Sequence, residues 1–198
     1  MPTIVFASPK GGAGKSTSAV LLATELAARN ASVTMIDADP NRPVSRWAKR
    51  PNKPASLTVV ADITEETIIP EIEAAAAKST FVIVDLEGTA SMIVGFALSR
   101  ADLVIIPTKG SMLDATEAVK AVFAALPRLD ILVNNAGIAH IGTATTTQPA
   151  DLDRVYAVNV KGVYHCLHFG LPRMVEQKGG VVLNLASIAS KVGLPDRF

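Results

Sequence analysis

The chain has 198 residues, 49% of them hydrophobic and 19% charged, and a formal net charge of +1. That length and apolar content are enough to bury a sizeable core. The near-neutral balance excludes a global field that would favour nucleic acid or membrane. A single cysteine, Cys166, excludes an internal disulfide; it fits a reducing compartment and reads as a small buried hydrophobe rather than a reactive thiol.

A strand begins almost at the N-terminus, without a basic n-region or cleavage site, so no secretory signal is expected. No apolar run approaches the ~20 residues that span a bilayer. The expectation is a soluble, cytoplasmic protein with no membrane partner.

The apolar pattern predicts a buried strand over residues 3–7, then a Gly-rich loop and a helix over 15–29 whose apolar face carries Val20, Leu21, Ala23, Leu26 and Ala27. A strand over 32–36 ends at Asp37. After the long polar connection 41–56 comes a short, weaker strand over 57–60. A helix over 65–77 tolerates Pro70 near its first turns. Strands over 81–84 and 103–106 follow, the first ending at Asp85 and the second closed by Pro107. Then come a helix over 113–125, a strand over 129–133, a long helix over 150–177 interrupted near Gly170 and Pro172, and a strand over 181–185. Continuous apolar strands separated by helices indicate an α/β fold: a doubly wound, mainly parallel sheet with helices on both faces. Counting the long strands and leaving out 57–60, the expected order is 2-3-1-4-5-6, within one domain over residues 1–198.

The strongest chemical signal is Pro9-Lys10-Gly11-Gly12-Ala13-Gly14-Lys15-Ser16-Thr17, between a strand and a helix. Its glycines let the backbone curl so that N–H groups point at phosphate oxygens, and the helix N-terminus adds positive potential. Lys15 can reach the β- and γ-phosphates, the Ser16 hydroxyl can ligate Mg²⁺, and Thr17 is a weaker candidate for the α-phosphate.

The Lys-Gly-Gly-x-Gly-Lys-Ser form, with Pro9 in place of the usual first glycine, resembles the deviant Walker A loop of ParA/MinD-type partition ATPases. The resemblance covers residues 1–121. It implies that Gly11, Gly12, Ala13, Gly14, Lys15, Ser16 and Thr17 hold the nucleotide, and that Lys10 reaches a phosphate across a homodimer interface. Asp37-Ala38-Asp39-Pro40 and Asp85-Leu86-Glu87-Gly88 fit the same family. By resemblance Asp39 orients the attacking water, Asp37 lies near the metal, Asp85 is the Walker B acid on Mg²⁺, and Gly88 offers its N–H to the γ-phosphate. Pro107-Thr108 also matches. Lys15, Asp39 and Lys10 are thus the catalytic candidates; Ser16, Asp37 and Asp85 are the metal candidates. Asn52-Lys53-Pro54-Ala55 lacks the final Asp of a guanine reader, so ATP with Mg²⁺ is expected. Arg42, Arg46, Lys49, Arg50 and Lys53, with Trp47 among them, form the one basic cluster; it reads as a solvated loop with Trp47 as a packed anchor, ahead of a DNA or protein contact.

The second half reads differently. Leu129-Asp130-Ile131-Leu132-Val133-Asn134-Asn135-Ala136-Gly137, Asn159 in Asn-Val-Lys-Gly, and Asn184-Leu185-Ala186-Ser187 resemble the middle of a short-chain dehydrogenase/reductase. That family's chemistry depends on a Tyr-x-x-x-Lys pair. Phe198 is reached before one appears, and neither Tyr156 nor Tyr164 has a lysine four residues on. The family's Thr-Gly-x-x-x-Gly-x-Gly dinucleotide loop is absent as well. Asn134, Asn135, Asn159 and Ser187 are therefore read as inherited structure, and an NAD(P)-dependent oxidoreductase is not expected. His165 and His168, three apart on the long helix, lack a further ligand pair and read as packed helix histidines. The expectation is a hybrid, engineered as a chimera and joined inside the helix around 118–125: residues 1–123 ATPase-like, 124–198 dehydrogenase-like. It would bind Mg·ATP with weak or no hydrolysis; the alternative is an inactive scaffold testing fold recombination.

Overall fold

The computed structural model describes residues 1–8, 12–88, 91–107, 112–187, 189 and 192, with side chains of 112–115 excepted. By packing, the residues group into two compact units, Met1–Thr108 with Ala124–Pro127, and Lys109–Phe123 with Arg128–Phe198.

The first unit is built on a five-stranded parallel sheet of order β3-β2-β4-β1-β5. Its strands are β1 (Thr3–Phe6), β2 (Val33–Ala38), β3 (Leu57–Val60), β4 (Phe81–Leu86) and β5 (Leu103–Ile105). In the sequence-based count this reproduces 2-3-1-4, and it adds the weak 57–60 strand as a full member paired with β2. Strand alternation sorts the side chains. Ile4, Phe6, Val33, Met35, Leu57 and Ile83 form one core cluster with Ala19, Ala23 and Ala27 of α1 (Lys15–Ala28) and Val44 of α2 (Pro43–Ala48). Val5, Ile36, Val82 and Val84 alternate to the opposite face, where α3 (Ile68–Lys78) packs on β2 and β4, and α4 (Met92–Ser99) packs on β4 and α3. The sheet is thus covered on both sides, as its continuous apolar strands require. The alanines of α1 recur every four residues, so a narrow, small-side-chain stripe lies against the sheet.

The second unit holds β6 (Ile131–Asn134) and β7 (Val181–Asn184), paired in parallel as a separate two-stranded sheet. The expected extension 5-6 of one continuous sheet is therefore not formed. β5, at the edge that such an extension would use, has only three residues, and Pro107 soon after it lacks the N–H a ladder needs. α5 (Met112–Ala125) precedes β6, and α6 (Pro149–Tyr156), a π-helical stretch (Ala157–Lys161) and α7 (Gly162–Glu176) follow it. The long helix is interrupted at that π-helical stretch and not near Gly170 and Pro172; Pro172 lies inside α7. Gly170 is a close-approach position: a Cβ there would meet Phe123, Leu129 and Leu132 at 3.0–3.3 Å.

Three further differences have local causes. The helix expected over 65–77 starts at Ile68, which places Pro70 in the first turn, where its missing N–H costs no intrahelical bond. The polar connection 41–56 contains α2, opened by Pro43 at its first position. α4 was not anticipated: Met92–Ser99 is apolar on nearly every side and shows no helical stripe.

The difference in packing between strands is measurable. Ile83 is fully buried in central β4, whereas Ile131 is 64% exposed. Ile83→Ala is expected to lower stability by about 2–5 kcal/mol, and Ile131→Thr by no more than about 0.5 kcal/mol, in urea titrations followed by circular dichroism.

Candidate functional site

Strand alternation places the candidate acids. Asp37 follows Met35 in phase and Asp85 follows Ile83, so both carboxylates leave the carboxyl ends of β2 and β4 on the face covered by α1 and α2. Asp37 and Asp85 are register partners across the β2–β4 pair, and Phe6 is the partner of Asp85 across β1–β4. A ligand site at the carboxyl ends of parallel strands is the position this architecture favours.

Above them lies the start of α1. Gly12 and Gly14 have φ of 72° and 88°. Nothing would obstruct a Cβ at Gly14, so it is the left-handed backbone that calls for glycine there. Gly14 is the N-cap of α1; no side chain caps it, and no acidic residue occupies the first turn. The positive end of the helix is therefore not neutralised by a carboxylate from its own first turn. Lys15 is buried, Ser16 and Ala13 half-buried, and Thr17 and Gly12 exposed. Gly88 sits half-buried just beyond β4. Lys10 and Gly11, and Thr108 with them, lie outside the described residues.

Asp85 is 0% exposed, and neither of its oxygens has a hydrogen-bond partner among the described residues. Burial pushes its carboxyl up from 3.8 to about 6. The nearby Ser16 hydroxyl and the Lys15 ammonium pull it down, while the charges of Asp37 and Asp39 push it further up. Ser16 favours the carboxylate without a hydrogen bond of normal geometry. These influences place Lys15, Ser16, Asp37 and Asp39 around Asp85, so five of the sequence-predicted residues come together. Asp37, 2% exposed, uses one oxygen only. Oδ2 accepts from the Ser45 N–H at 2.7 Å and the Ser45 hydroxyl at 2.6 Å, and Oδ1 is buried without a partner. Asp39 is half-buried; its Oδ1 accepts from the Asn41 N–H at 2.8 Å and from Asn41 Nδ2 at 3.0 Å. Ser45 was not singled out from the sequence. It lies eight residues beyond Asp37 inside the basic run, and only the fold brings it back.

The basic cluster divides. Trp47 packs against the core cluster, Arg42 pairs with Asp62, and Lys53 donates to the carbonyls of Pro54 and Leu57. Arg46, Lys49 and Arg50 are exposed.

In the second unit the singled-out polar groups make contacts within the fold. Asn134 Nδ2 donates to Asn184 Oδ1 at 2.8 Å, joining register partners at the ends of β6 and β7. Asn159, in the π-helical stretch, accepts from the Ile138 N–H and donates to the Ile138 carbonyl, both at 2.9 Å. Asn135 is exposed, and the exposed Ser187 accepts from the Ala189 N–H at 3.2 Å. His165 and His168 stack with Phe169 and Tyr164. Cys166 is half-buried, and burial pushes its thiol up.

Residues 1–72 match the AAA domain family, and residues 99–197 match the short chain dehydrogenase family. Protein ParA of Rhizobium radiobacter is 38% identical over 199 residues, covering 98% of this chain and 89% of the relative. The chain belongs to the ParA family. Its second half also belongs to the short chain dehydrogenases, so the chain is a mosaic of the two. An uncharacterized oxidoreductase of Thermotoga maritima is 43% identical over 84 residues, 42% of this chain and 34% of the relative. The chain thus spans most of its ParA relative and about a third of that oxidoreductase. The structure of Cyanthece apo McdA has a TM-score of 0.60 at 15% identity, covering 96% of this chain and 88% of that one, which shows a shared fold. The ParA likeness was expected to end near residue 121; the alignment runs on through the chain and overlaps the dehydrogenase match. The join expected around 118–125 lies inside that match.

The raised Asp85 carboxyl has a consequence for stability. Between pH 3.8 and about 6 the folded chain holds a proton that the unfolded chain has released. Stability therefore falls as pH rises through that window, by roughly 3 kcal/mol in all. Asp85→Asn is expected to raise the melting temperature at pH 8 and to make no difference near pH 3.5. A melting temperature lowered at pH 8 would show that the ionised carboxylate has a stabilising partner.

Proposed function

We propose that the chain binds Mg·ATP at the loop that opens α1 and hydrolyses it weakly or not at all. The observation that carries this reading is the set of three buried, unpartnered carboxylate oxygens, two on Asp85 and one on Asp37, beside Ser16 and Lys15. Buried acceptors without donors call for an explanation, and a hard divalent cation is the partner that oxygen ligands of this kind suit. Among the described residues no group of three or more His, Cys, Asp or Glu side chains is placed to hold a metal. Two carboxylates and a hydroxyl suit Mg²⁺ in particular, because that ion keeps several waters and shares phosphate oxygens.

In this reading Gly12, Ala13 and Gly14 bring backbone to the phosphates, with Gly11 assigned by family resemblance alone, and the first turn of α1 presents N–H groups that lack intrahelical acceptors. Lys15 offsets phosphate charge, and Thr17, exposed in the first turn of α1, is the weaker candidate for the α-phosphate. Ser16, Asp37 and Asp85 hold the metal, which when bound neutralises charge on the triphosphate. Asp39 orients water, and Gly88 offers its N–H to the terminal phosphate. Membership of the ParA family supports a second copy of the chain as partner, with Lys10 reaching across. NAD(P) is the alternative cofactor that the dehydrogenase half brings. Against it, the Asn134 and Asn159 side chains are already engaged with Asn184 and Ile138.

Calorimetric titration of Mg·ATP into the full chain and into Lys15→Ala tests the reading. Binding by the wild type and at least a tenfold loss in Lys15→Ala are expected, since charge-assisted contacts of about 1.5–3 kcal/mol are removed. A folded wild type that binds no Mg·ATP would leave a scaffold that keeps the loop without its function.

A further inference from the structure

We infer that Ser45 is a positioning residue for the divalent cation: by holding Oδ2 of Asp37 with two donors, it leaves Oδ1 beside the oxygens of Asp85 as the cation's ligand. The inference rests on the nucleotide and metal reading of this site.

Both donors of Ser45 converge on one oxygen, the N–H at 2.7 Å and the hydroxyl at 2.6 Å, and none reaches the other. An aspartate torsion is broad and twofold, so an unrestrained carboxylate exchanges its oxygens freely. Two donors fixed on one short helix remove that freedom. Oδ1 is left buried without a partner, on the residue whose register partner, Asp85, carries two further unpartnered oxygens. Asp37 and Asp85 are 2% and 0% exposed, so no bulk water compensates a misplaced oxygen.

A role confined to fixing α2 would account for Oδ2 alone. The Ser45 N–H is one of the helix's first donors and lacks an intrahelical acceptor, so Asp37 satisfies it. That role leaves the hydroxyl redundant and Oδ1 buried without purpose. Groups that orient metal ligands commonly change metal affinity by about 10–100-fold when removed. Sequence gave no pointer to Ser45, because its contact depends on α2 folding back over the end of β2.

The test uses the full chain and a non-hydrolysable ATP analogue, adenosine 5′-(β,γ-imido)triphosphate, titrated by calorimetry with Mg²⁺ and again in EDTA. The quantity read is the factor by which Mg²⁺ strengthens nucleotide binding. Ser45→Ala is expected to reduce that factor about tenfold, with the affinity in EDTA unchanged and Ser45→Thr retaining the wild-type factor. A wild-type Mg²⁺ factor in Ser45→Ala would overturn the inference. So would equal losses with and without Mg²⁺, because the hydroxyl would then serve the fold alone. A wild type that binds the analogue but gains nothing from Mg²⁺ would also overturn it. A wild type that binds no analogue in either condition would overturn the nucleotide reading itself, and the inference with it.

Discussion

The first unit depends on a direct lateral pairing of two acids. Asp37 and Asp85 are register partners on adjacent parallel strands and share one face of the sheet, so neither can move away without shifting a strand. Burial raises the cost of ionising Asp85, and the charge of Asp37 beside it adds to that cost. A core built only for stability would place apolar residues there, as the strands do one step earlier with Met35 and Ile83. The change from Met to Asp and from Ile to Asp, in phase on neighbouring strands, concentrates negative potential at one end of an otherwise apolar layer. The start of α1 supplies the opposite sign, through its free helix end and the buried Lys15.

That balance sets what the surrounding residues must be. α1 has to bring its first turn close over the strand ends, and its stripe of Ala19, Ala23 and Ala27 permits a close approach along its length. Larger side chains would lift the helix, weakening the Lys15 and Ser16 influence on Asp85. Gly14 turns the chain into the helix through a left-handed backbone with no side-chain cap. A Ser or Asp cap would satisfy first-turn donors, and in doing so would occupy the same N–H groups an anion needs. Helix start and anion site are alternatives at this position, and the glycine leaves the donors available.

The layers of this architecture are legible in sequence because periodicity reports burial on each side of a strand. Runs such as Val82-Ile83-Val84 are apolar at every position, so they signal a strand covered on both faces, and right-handed βαβ connections are consistent with the order of four of the five strands, β2-β4-β1-β5. Lys15, Ser16, Asp37, Asp39 and Asp85 are legible because they stand at strand ends or a helix start, where motif and topology agree. What sequence hides is long-range or aperiodic. α4 is apolar nearly all round and gives no stripe; α2 is six residues in a polar stretch; and Ser45 acquires its meaning only through a contact eight residues back. The separate β6–β7 sheet was missed for another reason: apolar strands announce that they pair, not with which sheet.

The second unit shows how family signatures and chemistry can part. The asparagines that carry the dehydrogenase likeness bind their own fold: Asn134 ties together the ends of β6 and β7, and Asn159 clamps both backbone groups of Ile138 beside the π-helical stretch. The first contact pairs two side-chain amides, and the second satisfies the backbone N–H and carbonyl of Ile138, which belongs to no helix or strand. Such side chains persist in a sequence for local reasons, whether or not a cofactor sits nearby. The first unit differs in kind. Its buried acids have oxygens without a hydrogen-bond partner among the described residues, and a polar group kept at that expense is a stronger pointer to a ligand than any motif whose hydrogen bonds are already closed.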